Sequence, residues 1–313
     1  MLKYLLPKEG TFYKANLHCH TTLSDGRWTP EQVKEEYKAK GYSIVAYTEH
    51  GRMIPHHDLS DESFIAMTGY EWEFFQYEPI EKDCHLCFVA LTPEINDENN
   101  KPEFVRDYTH EAVNKMIKTM RDSGFFVTYN HPAWSNQDYS DYMGYEGMHA
   151  MEIVNYGCVE SGYDEYNPHV YDDMIKHGKR VYCIATDDNH NARNDSFGGF
   201  TMIKAEKLDY KTIGEALLQG NFYASEAPLI HELTYDTETR ILRVVCSPAV
   251  KVSINTDRIS AGVVYPETEK TLTEAEFKLR EDIKYVRLTV MDAQGKHACT
   301  NAYYLDELSK TEK

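Results

Sequence analysis

In the first 227 residues, the pattern of hydrophobic and polar positions alternates between one typical of strands and one typical of helices. Short apolar runs typical of strands, such as YSIVAYTEH, alternate with segments of helical period, such as TPEQVKEEYKAKG (29–41). In that segment Thr29 predicts a helix N-cap, Pro30 suits the first helical position and Gln32 completes a capping box. A longer helix is predicted from about 102 to 123. Repeated βα units of this kind predict a parallel barrel or a doubly wound sheet.

The pattern changes after Pro228. The segments LIHELTYDTETRILRVVCS, VKVSINTD and YVRLTVMDAQGKHACTNAYYL alternate with a period of two residues and are separated by turn residues. No amphipathic helix of any length is evident in this part of the sequence. We therefore predict an α/β domain over residues 1–227 and a small antiparallel β-sandwich over residues 228–313.

Composition narrows the class of protein. The 313 residues carry a formal net charge of -18, with a pI near 5.2 and a mean hydropathy of -0.60. This acidic balance disfavours long nucleic acid, whose phosphates attract basic proteins. No stretch has the roughly 20 apolar residues of a membrane span, and no signal-peptide pattern is present. Seven scattered cysteines do not resemble a secreted disulfide framework, so we expect a cytoplasmic protein that does not act at a membrane.

Histidines and carboxylates collect at the ends of the predicted strands. The first strand runs into His18 and His20, with Asp25 in the following loop. Because the carboxyl ends of parallel strands open onto one face of a barrel, such side chains should lie close together. His85 is the exception: either its strand runs in the opposite direction or its predicted boundary is displaced. The other members of the set are His50, Glu71, His131, Asp188 and His190.

These residue types are the ones that divalent metal sites use. Neutral imidazole and carboxylate suit Zn, Mn and Fe. Alternate residues of a strand point to the same side, so His18 and His20 can bind one ion together. Nine candidate ligands are too many for one four-coordinate ion. The set therefore predicts two or three divalent ions that share a bridging carboxylate and a bridging hydroxide.

Six motifs, taken in chain order, resemble those of the PHP family, the polymerase and histidinol phosphatase superfamily of metal-dependent phosphoesterases. They are HCHTTLSDG, YTEH, GYE, CHLCFVAL, YNHP and TDDNH, and they span about residues 15–205. The resemblance implies a distorted (βα)7 barrel, which is a TIM-like α/β fold, and a trinuclear metal site. It does not extend to the β-rich region after Pro228.

Matching positions imply how the ligands are shared. Asp188 fits the family's Asp-x-His pattern, whereas Asp187 stands where the family often has a small residue. The family's Thr-Asp-His reads Thr48-Glu49-His50 here, which keeps the ligand and changes its neighbour. The resemblance assigns the ligands to three ions: His18, His20, Glu71 and Asp188 to the first; Glu71, His85 and His131 to the second; Asp25, His50 and His190 to the third.

The predicted reaction is hydrolysis of a small phosphate ester, either a phosphomonoester or a nucleotide-like compound. A metal-bridging hydroxide would attack phosphorus while the ions neutralise the phosphoryl oxygens. His190 and Asp25, beside the third ion, are the candidate acids for the leaving group. Arg27, Arg52 and Arg193 follow ligand motifs and are candidates for binding the phosphate.

Other side chains near these motifs each have two possible roles. The aromatic run WEFF (72–75) and Trp134 can form a wall for a ring-bearing substrate or belong to the core. Glu152 and Asn155 end another predicted strand and can support the site or contact the substrate.

Three rival functions remain at this level. The same metal cluster can hydrolyse an amide, a carbamate or a carboxylic ester. A nuclease is a second alternative, which the acidic balance and the absence of basic runs disfavour. The third is a non-enzymatic metal- or carbohydrate-binding protein whose β-sandwich performs the recognition. We expect a small phosphorylated molecule as the partner, and the sequence does not predict an oligomeric state.

Overall fold

The computed structural model of the protein describes residues 1–95, 105–259 and 262–308. Its fold is mixed α/β, as predicted, with one large sheet and one smaller antiparallel sheet. The described strands are β1 (Leu2–Tyr4), β2 (Thr11–Asn16), β3 (Ile44–Tyr47), β4 (Ile65–Gln76), β5 (Lys82–Ala90), β6 (Phe125–Tyr129), β7 (Ala150–Asn155), β8 (Tyr182–Thr186), β9 (Phe200–Ala205), β10 (Phe222–Ser225), β11 (Ile230–Asp236), β12 (Ile241–Ala249), β13 (Lys251–Thr256), β14 (Val263–Val264), β15 (Leu272–Lys278), β16 (Tyr285–Met291), β17 (His297–Thr300) and β18 (Tyr303–Tyr304).

The two long predicted helices are present, one of them with a later start. The helices are α1 (Pro30–Ala39), α2 (His110–Asp122), α3 (Tyr139–Tyr142), α4 (Pro168–Lys176), α5 (Tyr210–Gln219) and α6 (Leu305–Leu308). The predicted capping box of α1 is confirmed, because the side chains of Thr29 and Gln32 each accept from the other's backbone N–H. Helix α2 begins at residue 110 because Thr109 caps it there; the predicted start near 102 lies outside the described residues. Among the described helices, none is both long and apolar enough to cross a membrane.

The strand directions in the large sheet differ from a simple βα repeat. Strands β2, β3 and β4 are mutually parallel, and so are β6, β7 and β8. Strand β5 is antiparallel to both of its neighbours, β4 and β6, and no helix separates β4 from β5. The reversed direction of β5 resolves the ambiguity over His85: the start of this strand lies beside the ends of its neighbours.

The chain segments that follow β2 and β8 are hydrogen bonded to each other. The N–H of Asp188 donates to the carbonyl of His18 at 3.1 Å, and the N–H of His20 donates to the carbonyl of Asn189 at 3.0 Å. These contacts bring together the ends of two strands that stand far apart in the order of the sheet. The distorted (βα)7 barrel stays a prediction.

Strands after Pro228 form two antiparallel layers. Strands β11, β12 and β15 pair in the smaller sheet, with β1 at its edge, whereas β13, β14, β16 and β17 continue the large sheet through β10. Buried apolar side chains of both layers form one cluster that includes Leu233, Val244, Val252 and Leu288. The sequence analysis did not predict that β1 joins this region or that one layer extends the large sheet.

Ion pairs connect this β-rich region to the segment around α4. The Arg287 guanidinium is buried and contacts both carboxylate oxygens of Asp172, at 2.6 and 2.7 Å. Lys296, next to β17, contacts the carboxylate of Glu165 at 2.6 Å, and the ring of His297 stacks on Tyr166 at 4.1 Å. The C-terminal strands therefore hold the end of the loop that follows β7.

Candidate metal centre

Ligand-type side chains converge where the strand ends of the large sheet meet. All nine side chains predicted as ligands from the sequence belong to this assembly, and Glu152 joins them. The nine ligands come from loops after β2, β3, β6 and β8 and from strands β4 and β5, and Glu152 lies on β7. Ligand atoms lie within 4.8 Å of one another in four overlapping groups: His18, His20, Glu71 and Asp188; Glu71, His85 and His131; His20, Asp25, His50 and His190; and His18, His131 and Glu152.

The first group surrounds a point between two histidines and two carboxylates. The Nε2 atom of His18 lies 3.3 Å from Glu71 Oε1 and 3.1 Å from Asp188 Oδ1. The Nε2 atom of His20 lies 3.3 Å from Glu71 Oε2 and 3.2 Å from Asp188 Oδ1. Two ligand atoms that bind one ion at about 2.1 Å with a tetrahedral angle are about 3.4 Å apart. The spacing of this group therefore fits a single ion.

Glu71 stands between the groups, and each of its carboxylate oxygens faces histidines of more than one group. Its Oε1 atom lies 2.9 Å from His85 Nδ1 and 3.3 Å from His131 Nε2. Its Oε2 atom faces His20, and it also lies 3.2 Å from His50 Nδ1. Glu71 is only 1% exposed. A carboxylate in this position could bridge two ions.

The third group is the one nearest solvent. The Oδ2 atom of Asp25 lies 3.6 Å from His50 Nε2 and 3.5 Å from His190 Nε2. His20 contributes its other nitrogen, Nδ1, at 3.9 Å from Asp25 Oδ1. The Asp25 side chain is 55% exposed and the His190 side chain 30% exposed. An ion held here would be accessible to a substrate.

Two buried polar atoms of the cluster accept or donate no hydrogen bond within the described part of the chain. Neither Nδ1 of His20 nor Oδ1 of Asp188 has a hydrogen-bond partner among the described residues, and such an unpaired buried atom costs about 1–3 kcal/mol. The ring of His20 also stacks on those of His50 and His190, each at 4.3 Å, and the latter two lie 6.0 Å apart. Protonating all three rings would place like charges in contact. Bound divalent cations would give the unpaired buried atoms a partner, and they would let the three imidazoles stay neutral. The residues therefore fit divalent metal ions.

Glu152 holds two of the histidines in place. Its carboxylate accepts from His18 Nδ1 at 2.8 Å and from the backbone N–H of His131 at 2.9 Å. Thr186 and Asn155 also donate to this carboxylate, at 2.7 and 2.8 Å. In the neutral imidazole, a proton on His18 Nδ1 that is donated to Glu152 would leave Nε2 unprotonated and facing the first group. Of the two roles left open by the sequence, Glu152 therefore has the supporting one.

Replacing Glu152 with glutamine should weaken metal binding while leaving the cluster's ligands in the chain. Mutation of a residue that is hydrogen bonded to a metal ligand typically lowers metal affinity or activity by about 10–100-fold. The measurement is a metal titration of the E152Q variant. E165Q is the matched control, because Glu165 follows the same strand but pairs with Lys296 away from the cluster. Equal metal affinity in E152Q and the natural protein would contradict the assigned role.

Two further side chains support the ligands and were not predicted from the sequence. Asp83 contacts Nε2 of His85 at 2.9 Å, and the hydroxyl of Ser135 lies 3.1 Å from Nδ1 of His131. Both contacts turn the other ring nitrogen toward Glu71. The spacing Asp83-x-His85 on one strand was a usable signal, since alternate residues share a face. Ser135 carried no such signal.

The neighbours Asp187 and Asp188 have separate roles. Asp187 is fully buried and accepts from the Tyr37 hydroxyl and from three consecutive backbone N–H groups, residues 197–199, at 2.7–2.9 Å. Burial raises its pKa to about 6, although these donors oppose the shift. Asp187 therefore holds a loop in place, while Asp188 faces the histidines.

Glu49 also serves the loop and not the cluster. Its carboxylate accepts from the backbone N–H of Thr21 at 3.2 Å, from the Thr21 hydroxyl at 2.6 Å and from the hydroxyl of Ser24. These residues precede Asp25. Glu49 thus fixes the turn that carries one candidate ligand.

Charges in the cluster are strongly coupled. Burial disfavours the charged form of Glu71, but the surrounding histidines hold its pKa well below the usual range. Burial lowers the pKa of His50 to about 4. Burial also opposes protonation of His85 and His190, yet carboxylates beside them raise their pKa values to about 10 and about 9. At neutral pH, Glu71 is therefore ionised and His50 is neutral, as a metal ligand must be. His85 and His190 are protonated and must each lose a proton before they can bind an ion.

The cluster forms one wall of a cavity of about 400 Å³. Arg193 lines this cavity and lies 3.6 Å from Glu160, with 73% of its side chain exposed. Arg27 and Arg52 are exposed and are not among the residues described as lining the cavity. The structure thus brings one of the three predicted arginines to the cavity.

The predicted aromatic residues divide between the core and the cavity. Trp72 and Phe74 are buried in the hydrophobic core. Trp134 lines the cavity, is 39% exposed and packs edge-to-face against His131 at 5.0 Å. Of these aromatic residues, Trp134 is the one placed to contact a substrate at the cluster.

Comparison with known proteins gives a likeness in fold. No family model matches the chain, and no curated protein matches it. A crystal structure from Bacteroides vulgatus ATCC 8482, a "two-domain protein containing predicted PHP-like metal-dependent phosphoesterase", is similar at a TM-score of 0.52 and 16% identity, over 96% of this chain and 97% of that one. A "putative metal-dependent phosphoesterase" from Bifidobacterium adolescentis ATCC 15703 is similar at a TM-score of 0.42 and 14% identity, over 69% of this chain and 98% of that one. The first likeness covers both regions of the chain and shows a shared fold.

Proposed function

We propose that the protein is a metal-dependent phosphoesterase of the PHP superfamily, built on a distorted (βα)7 barrel, that hydrolyses a small phosphate ester at a trinuclear site. The observation that carries this proposal is the position of Glu71, whose buried carboxylate lies within 3.3 Å of histidine nitrogen atoms from all three proposed ion sites. Likeness in fold to the Bacteroides vulgatus protein supports it. The proposed substrates are phosphomonoesters or nucleotide-like compounds.

The ligand assignment follows the three groups. His18, His20 and Asp188 with Glu71 would hold one ion, and His85 with His131 would share Glu71 for a second. Asp25, His50 and His190 would hold the third, with His20 at its edge. Bound divalent ions supply a water nucleophile at neutral pH and neutralise charge on the phosphoryl oxygens.

Two members of the third group are placed to handle the leaving-group proton. Asp25 and His190 line the cavity and are, together with His50, the more exposed groups of the cluster. A side chain in that position can lie within hydrogen-bond reach of an ester oxygen. We therefore assign the proton transfer to Asp25 or His190.

Arg193 is proposed to bind the phosphate. Its guanidinium reaches the cavity and contacts Glu160, a surface carboxylate that a phosphate can replace as its partner. We expect R193A to raise KM for a phosphomonoester by about tenfold, the lower end for a charge-assisted hydrogen bond, with unchanged metal content. R52A is the matched control, because Arg52 is exposed and lies off the cavity lining. An unchanged KM in R193A would remove this arginine from the site.

Metal analysis paired with a substrate panel tests the whole proposal. The purified full chain is analysed by mass spectrometry for Zn, Mn and Fe, then assayed with added Mn²⁺ on phosphomonoesters, nucleotides, carboxylic esters and amides. Two to three ions per chain with phosphomonoester turnover is the expected result. If ions are bound but only carboxylic esters or amides are hydrolysed, the protein is the rival hydrolase and not a phosphoesterase. If neither ions nor turnover are found after reconstitution with metal, the proposed metal centre is wrong.

A further inference from the structure

A second cavity, of about 670 Å³, adjoins the metal centre. It shares Trp134 and Ser161 with the first cavity, and the Trp134 indole N–H donates to the Ser161 hydroxyl at 3.2 Å. The Trp134 ring also packs edge-to-face against His85 and His131, at 5.5 and 5.0 Å. The second cavity therefore begins directly beyond the rings of two candidate metal ligands.

Four aromatic side chains line this second cavity. Besides Trp134, it is lined by Phe75, Tyr77 and Tyr163. Tyr77 is 73% exposed and Tyr163 is 42% exposed, although most such rings gain free energy from burial. Exposed aromatic residues scattered singly need no explanation, whereas several that converge on one cavity indicate a binding surface. Their flat faces suit a ring.

Charge in the second cavity disfavours an anion. Its lining, among the described residues, has one cationic side chain, Lys82, whose ammonium group contacts Asp138 at 2.8 Å and Asp141 at 2.6 Å. Glu81 and Asp83 add two carboxylates to the lining. A second phosphate would meet these carboxylates without a free cation. An uncharged ring meets no such repulsion.

We propose that this cavity is a subsite for an uncharged, ring-bearing leaving group of the phosphate ester. The proposal rests on the proposed function in one respect, namely that the phosphate of the same molecule occupies the metal centre. The ester oxygen then lies near Asp25 and His190, and the alcohol portion extends past Trp134 toward Tyr77 and Tyr163. The preferred substrates are monophosphates of cyclic alcohols, and a bisphosphate with its second charge on that side is disfavoured.

A pair of substrates that differ in the ring alone tests the subsite. Benzyl phosphate and ethyl phosphate both release an alcohol of similar acidity, so a difference between them reports the ring. We expect the full-length Y77A/Y163A variant to raise KM for benzyl phosphate at least fivefold, within the range measured for loss of aromatic stacking, and to leave KM for ethyl phosphate unchanged. Y265A is the matched control, since Tyr265 is 59% exposed and lies outside both cavities.

Binding of non-hydrolysable probes separates this proposal from the proposed reaction. Calorimetry of the Mn²⁺-loaded chain with benzylphosphonate and ethylphosphonate needs no turnover. A preference for benzylphosphonate that Y77A/Y163A abolishes supports the subsite, even if neither phosphate ester is hydrolysed and the phosphoesterase proposal fails. Equal binding of the two probes, or a KM change of the same size for both esters, would overturn the subsite.

Discussion

Replacing Glu71 with alanine should abolish turnover and lower the metal content of the protein. Glu71 is the buried carboxylate whose oxygens lie 2.9–3.3 Å from nitrogen atoms of His18, His20, His50, His85 and His131. Supporting partners of metal ligands already change activity by about 10–100-fold, so a bridging ligand should exceed about 100-fold. The measurement is kcat/KM together with metal analysis of the purified variant. We expect the same direction from H20A, because His20 belongs to two groups.

The control for this experiment lies two residues further along the same strand. Glu73 pairs with Arg106 and is outside the four ligand groups of the described residues, so E73Q should retain its ions and its turnover. Far-UV circular dichroism on E71A shows whether the fold survives. A folded E71A variant with normal metal content and normal turnover would refute the cluster.

Sequence patterns predicted the fold where local signals are strong. The capping box at Thr29 and Gln32 specified the start of α1, because both hydrogen bonds form within four residues. The period-two pattern after Pro228 specified strands. The pairing of β1 with β11 escaped prediction, since it joins residues about 230 positions apart and β1 has three residues. The direction of β5 also depended on its partners and not on its own residues.

Residue chemistry predicted the centre better than its surroundings. Histidines and carboxylates at successive strand ends are distinctive, and the structure brings all nine into overlapping groups. Arginines are not distinctive in this way, because a long side chain near a motif can point to solvent, as Arg27 and Arg52 do. Glu152 and Asp83 act through hydrogen bonds to His18 and His85. Such contacts depend on side-chain geometry that spacing along the chain does not determine.

The division of the aromatic residues has a similar cause. Trp72 and Phe74 are even-numbered positions of β4 that face the core, whereas Phe75 lines the second cavity. Strand alternation predicts that neighbours face opposite sides, but it does not say which side is buried. That choice is made by packing against distant residues such as Met116 and Ile117 of α2.

Removing the metal ions with a chelator should destabilise the folded protein as well as stop turnover. An ion present at about 1,000 times its dissociation constant stabilises the native state by about 4 kcal/mol. For a chain of this size that corresponds to a fall in Tm on the order of 5–10 °C. The measurement is thermal unfolding before and after chelation, with Mn²⁺ or Zn²⁺ added back to restore the original Tm. An unchanged Tm in protein shown by mass spectrometry to have lost its ions would contradict this prediction.

The effect of chelation should also grow with pH. In the metal-free protein the pKa values of His85 and His190 are raised from 6.5 to about 10 and about 9. A histidine with a raised pKa contributes stability that is complete below pH 6.5 and is lost as the pH rises through its folded-state pKa. Protons thus replace more of the metal's stabilising charge near pH 6 than near pH 9, where His190 is at its pKa and part of this contribution is lost. The difference in Tm between metal-loaded and metal-free protein should therefore be larger at pH 9 than at pH 6. Metal binding at neutral pH should also release protons. Calorimetry in buffers of different ionisation enthalpy measures that release.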